Sequence, residues 1–226
     1  MLDAREHAPY AKLMPTPRIA PEPSCRLCSR LAAFRAENRA AHPEFHNKPV
    51  PAFGALEAKL LIVGLAPGLK GANRTGRPFT GDYAGDLLYA TLARHGLTSG
   101  VYDERADDGF ALVGVRITNA VRCVPPQNKP EPVEINTCRS FLAAEIASMK
   151  NLAAILTLGQ IAHSSVCAAL DLKKKDHKFT HGARYETAYG ALVASYHCSR
   201  YNTNTGVLTE KMFNLVMAEA KRAAEL

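Results

Sequence analysis

The stretch "KLLIVGLAPGLKGANRTGRPFTGD" (residues 59–82) joins a short apolar run to a loop with five glycines, two prolines and two arginines, closed by Asp82. Consecutive branched apolar residues without polar alternation read as a strand buried on both faces. As a phosphate loop the segment is poor, because neither Gly-x-x-x-x-Gly-Lys-Ser/Thr nor Gly-x-Gly-x-x-Gly is present. Pro67 and Pro78 also withhold backbone N–H groups that a phosphate nest needs. Beyond the loop, residues 84–95 carry Leu87, Leu88 and Leu92 at helical spacing and stop at Gly96. The local unit is strand, loop, helix.

The unit recurs. Residues 110–121, "FALVGVRITNAV", read as a strand, "PPQNKPEP" as a loop and residues 133–150 as a helix. Residues 152–159 read as a short buried strand with a helix to about Leu170, and residues 191–197 as another, followed by a loop and a helix over 209–226. Parallel strands need crossovers, so four such units in series predict a mostly parallel sheet with helices on both faces. The expected fold class is α/β: three layers, αβα, with a central, mostly parallel four-stranded sheet. Ahead of it, residues 1–24 read as an extended arm, 26–40 as a helix and 42–51 as a Pro-rich connection. "KKKDHK" (residues 173–178) reads as a solvated connection.

At 226 residues and 47% hydrophobic content the chain can bury one sizeable core, and one domain over 1–226 is expected. No apolar run approaches the roughly 20 residues that span a bilayer. Asp3, Arg5, Glu6 and His7 are incompatible with a signal-peptide core. The expectation is a cytoplasmic monomer with no membrane partner. A formal net charge of +7 favours a polyanion such as nucleic acid.

Six cysteines without an export signal argue against a disulfide framework. Cys25 and Cys28 form a C-x2-C pair, and Cys123 and Cys138 a second pair separated by 14 residues. Four thiolates satisfy either an iron–sulfur cluster or a tetrahedral zinc ion. Four unrelated buried thiols is the other reading of the spacing. Cys167, in an apolar helical stretch, reads as core.

Ligands of open α/β sheets bind beyond the carboxyl ends of the strands, which selects residues 64–82, 118–126 and 197–206. Asn119 ends an apolar strand, where its amide offers a donor and an acceptor to a planar partner such as a nucleobase, or else caps the turn. His197 ends the last core strand and is followed by Ser199, Arg200, Asn202, Thr203 and Thr205, side chains suited to phosphate contacts.

Taken in order, "GLAPG…NRTGRPFTGD", "ITNAVRC.PP" and "H.SR.NT.TG" resemble the three active-site motifs of the uracil-DNA glycosylase superfamily, specifically its family-5 (type B) iron–sulfur branch, with family 4 as close relative. The resemblance runs from about Cys25 to Gly206. It implies a monofunctional DNA-repair glycosylase that flips uracil, and other deaminated bases such as hypoxanthine or xanthine, out of DNA and hydrolyses the N-glycosidic bond. By the same resemblance Gly64, Leu65 and Ala66 present backbone to the base, Phe79 stacks on it, Asn119 reads its edge and His197 donates to the leaving base. Ser199, Arg200 and Asn202 contact DNA, and Cys25, Cys28, Cys123 and Cys138 hold a [4Fe–4S] cluster, zinc being the alternative. DNA makes the expected location nucleoid-associated.

Two departures matter. Leu65 stands where family 4 carries an acidic residue, so Asp82 becomes the candidate for orienting water or stabilising the sugar cation, unless it only caps the following helix. Cys198 stands where the third motif has Pro after the His, which is expected to loosen that loop and to put a modifiable thiol near the site. Tyr201 either wedges into the stack vacated by the base or packs. The competing readings are a non-catalytic damaged-DNA-binding relative and a zinc-stabilised nucleotide-binding protein.

Overall fold

A computed structural model describes residues 18–226; most of the expected arm, residues 1–17, lies outside the described residues. Strand β1 is Leu60–Gly64, every residue of it buried. Its side chains alternate between two cores: Leu60 and Ile62 face one apolar cluster, Leu61 and Val63 the other. This is why the run lacks polar alternation, since a central strand has no solvent face.

In chain order, α1 (Ser29–Ala41) precedes β1, and α2 (Ala72–Thr75) and α3 (Tyr83–Arg94) follow it. Next come a two-residue hairpin, β2 (Thr98–Ser99) and β3 (Ala111–Leu112), then β4 (Val115–Asn119), α4 (Pro132–Ser148), β5 (Ala154–Leu158) and α5 (Gln160–Ala169). The chain ends with β6 (Arg184–Thr187), β7 (Gly190–Ser195), α6 (Arg200–Asn204) and α7 (Glu210–Ala223). The main sheet runs β4-β1-β5-β7-β6, parallel except for the antiparallel edge pair β6 and β7.

Helices α3 and α7 cover one face with Leu88, Leu92, Phe213 and Met217, and α4 and α5 cover the other with Leu142, Ile146, Ala162 and Val166. The αβα layering stands. The sheet has five strands rather than the four expected: β6 was missed because "RYET" alternates exposed with half-buried residues on an edge and carries Arg184 and Glu186. The single strand expected over residues 110–121 is broken at Gly114, whose φ of +69° turns the chain between β3 and β4. Cys167 is core, as expected. No helix among the described residues is long and apolar enough to cross a membrane.

Candidate functional site

Parallel register sets Gly64, the last residue of β1, level with Asn119, the last of β4. A Cβ on Gly64 would lie 2.5 Å from Asn119 Oδ1 and 2.5 Å from the Phe79 ring, so the bare backbone here is what lets both side chains converge. Asn119 is buried, and its Oδ1 has no hydrogen-bond partner among the described residues. An orphaned buried acceptor is costly unless a ligand donor completes it.

Phe79 is buried with its backbone in the left-handed region, φ +54°, a strained conformation for an aromatic residue. The strain is held from behind. Arg77 donates to both carboxylate oxygens of Asp108 (2.8 and 2.7 Å) and to Thr80 Oγ1 (2.9 Å). The rings of Phe53, Tyr89, Tyr102 and Phe110 surround its guanidinium at 5.1–5.8 Å, and the Tyr89 hydroxyl donates to the Pro78 carbonyl. The guanidinium holds Asp108 well below the usual carboxylate range. Thus one of the loop's two arginines is a buried anchor, out of reach of a nucleic acid.

The Phe79 ring stacks toward the His197 imidazole, centroids 6.2 Å apart and planes at 28°. Neither ring nitrogen of His197 is hydrogen-bonded within the described residues, and both belong to a residue lining the same cavity as Asn119. Burial pushes the His197 pKa down, opposed by the charge of Asp82, so the imidazole is neutral at pH 7 and able to donate one N–H.

Asp82 caps α3, accepting from the Gly85 N–H at 3.0 Å through Oδ1. Its Oδ2 faces Gly68 and Gly71, where a Cβ would stand 3.3 and 2.8 Å away. The same carboxylate therefore serves as helix cap and lines the cavity. That cavity, about 520 Å³, is bounded by Leu65, Ala66, Phe79, Asp82, Asn119 and His197, with Ser199 and Arg200 at its edge. Sequence reasoning missed Tyr83 and Asn128, which also line it. The Arg200 guanidinium sits 5.4 Å over the Tyr83 ring. Gln127 and Asn128 both adopt positive φ (55° and 58°), a turn that only the two prolines before it hint at.

The loop after His197 is tied down. Ser199 caps α6 by accepting from the Asn202 N–H (3.3 Å), and Asn202 Nδ2 donates to the His197 carbonyl (2.8 Å). The loosening expected from Cys198 is absent: its thiol is fully buried, bonds the Ala84 carbonyl (3.4 Å) and is pushed up to about 12 by burial. It is not a modifiable surface thiol. Tyr201, by contrast, is 74% exposed.

Cys25, Cys28, Cys123 and Cys138 line one narrow apolar cavity with Leu31, Val121 and Phe141, joining the N-terminal segment to the end of β4 and to α4. Burial, with the neighbouring thiols adding to it, pushes Cys123 up to about 12 and raises Cys28 and Cys138. No three Cys, His, Asp or Glu side chains among the described residues converge as ligands of a single ion. Four thiols around one cavity are a donor set that suits an iron–sulfur cluster or a tetrahedral zinc ion.

With this geometry in hand, the likeness to known proteins is specific. The family model for the uracil DNA glycosylase superfamily matches residues 51–221, a span that includes β1, the whole cavity and α6. The chain belongs to that superfamily. Within it, the chain is 47% identical over 209 residues to a type-5 uracil-DNA glycosylase of Thermus thermophilus, covering 90% of this chain and 95% of the relative. It is 41% identical over 211 residues to one from Mycobacterium bovis (88% and 78% covered). A type-4 uracil-DNA glycosylase of Archaeoglobus fulgidus matches at 32% over 153 residues (66% and 69%). Superfamily membership and the motif order expected from the sequence agree.

Proposed function

We propose that this chain is a monofunctional DNA-repair glycosylase that hydrolyses the N-glycosidic bond of uracil in DNA and leaves an abasic site. The reading rests on one observation: an orphaned amide acceptor on Asn119, an unpaired neutral imidazole on His197 and the Phe79 ring line one cavity. The type-5 relatives carry the same activity in their names.

Duplex DNA is captured electrostatically by a chain of net charge +7. The uracil nucleotide flips out, at a cost of a few kcal/mol that is lowest at a U·G mismatch. The base slides against the Gly64, Leu65 and Ala66 backbone and stacks on Phe79, which returns roughly 1–3 kcal/mol. Asn119 Oδ1 accepts from the imide N–H and its Nδ2 donates to a carbonyl oxygen. As the bond from the sugar C1′ to the base nitrogen breaks, its electron pair stays on the base, and His197 donates a hydrogen bond to the oxygen that gains charge. Asp82 orients water toward the cationic C1′ and takes its proton; the departing base anion is then protonated from solvent. Arg200 and exposed Tyr201 face the DNA, Tyr201 filling the vacated stack, while Ser199 and Asn202 hold the loop that carries His197.

The cleft, about 520 Å³, has room beyond a single ring, which supports hypoxanthine and xanthine as further substrates. Cys25, Cys28, Cys123 and Cys138 would hold a [4Fe–4S] cluster, which when bound supplies cross-linking between the N-terminal segment, the end of β4 and α4; hydrolysis itself transfers no electron. The chain acts as a monomer in the cytoplasm, on the nucleoid.

The test is product identity. A duplex with one labelled U·G pair should release free uracil and become cleavable only by alkali, with Asn119→Ala losing this activity. Lesion-specific binding with no uracil released would instead mark a damage-binding protein without chemistry.

A further inference from the structure

Among the described residues, two guanidiniums are buried at or next to the four-cysteine cavity without matching negative charge. Arg35, on α1, is 3% exposed and lines the cavity itself. Its acceptors among the described residues are the main-chain carbonyls of Pro23 and Cys25, and its Nε has no partner. Arg122, adjacent to Cys123, is 1% exposed. It shares one carboxylate, Glu145, with Arg116, whose Nε is 2.7 Å from Glu145, and Arg122 Nη1 has no partner among the described residues. A group of two guanidiniums and one carboxylate keeps a net positive charge.

A buried charge without a counter-ion is costly, and a buried donor without an acceptor adds to that cost. Both defects occur twice, at Arg35, which lines the cavity, and at Arg122, which stands in the chain between the cavity-lining Val121 and Cys123. Four thiolates around an iron–sulfur core make an anionic assembly whose potential responds to local charge and hydrogen bonds.

We infer that Arg35 and Arg122 are charge-balancing residues for the anionic cluster held by Cys25, Cys28, Cys123 and Cys138, an inference that rests on the cluster reading above. The cationic pair stabilises the loaded protein, raises the cluster's reduction potential and leaves the empty protein with uncompensated positive charge.

The consequence is a reversal of sign between loaded and empty protein. Iron and sulfide content, midpoint potential by voltammetry and thermal unfolding before and after chelator stripping are measured for wild type, Arg35→Met, Arg35→Lys and Arg122→Met. Arg35→Met should shift the potential negative, lower the unfolding temperature of the loaded protein and raise that of the stripped one. Arg122→Met, which leaves a neutral Arg116–Glu145 pair, should shift the potential the same way, and Arg35→Lys should stay near wild type. If Arg35→Met holds no cluster, iron restored by Arg35→Lys but not by Arg35→Gln supports the same inference; equal retention in Gln and Lys overturns it. An unmoved potential with equal destabilisation of both forms also overturns it, because Arg35 would then only clamp two carbonyls. Wild-type protein with no iron or acid-labile sulfide would sink the cluster reading itself.

Discussion

Asp82 has a structural duty and a place at the site: Oδ1 caps α3, Oδ2 faces Gly68 and Gly71, and the residue lines the cavity. The two duties separate by substitution. Asparagine caps a helix about as well as aspartate but carries no charge, whereas alanine does neither. Asp82→Asn should keep thermal stability near wild type and lose base release by at least an order of magnitude; Asp82→Ala should lose about 1 kcal/mol of stability as well. Denaturant unfolding beside single-turnover excision reads both, and unchanged excision in Asp82→Asn would make the residue a cap only. Asn119 and His197 were legible in the sequence because polar residues at the ends of apolar runs fall on the carboxyl edge of a parallel sheet. The buried fate of Arg77 was not, since its partner Asp108 lies 31 residues away in an unpatterned loop.

At the scale of elements, residues 64–82 form a loop whose stiffness comes from outside itself. The Arg77–Asp108 pair is buried on both sides (3% and 2% side-chain exposure) and fixes the turn that forces Phe79 to positive φ. Removing one partner leaves a buried charge uncompensated, at a cost of about 3–5 kcal/mol. Asp108→Asn should therefore lower stability by that order and weaken excision of uracil from DNA, although neither Arg77 nor Asp108 lines the cavity. Wild-type excision in a destabilised Asp108→Asn would detach the pair from Phe79. The central strands and helices were legible because their apolar periodicity is set by burial. Strand β6 was not, because an edge strand half open to water has no such pattern, and neither was the break at Gly114, where a turn requirement overrides an apolar run.

For the whole molecule, the sheet's carboxyl edge gathers three segments that are far apart in sequence. The end of β1 supplies the close-approaching backbone, the end of β4 the amide and the end of β7 the imidazole. The four-cysteine set ties the N-terminal segment to the chain leaving β4, two residues beyond Val121. The central claim is that this edge stabilises a departing base through His197. It is tested by the single-turnover rate of uracil release from a U·G duplex by wild type and His197→Ala, with affinity for the lesion duplex measured in parallel. The account predicts a rate reduced roughly 10²–10³-fold, as for removal of one preorganised donor, with affinity nearly unchanged. A His197→Ala rate within a few-fold of wild type would contradict it.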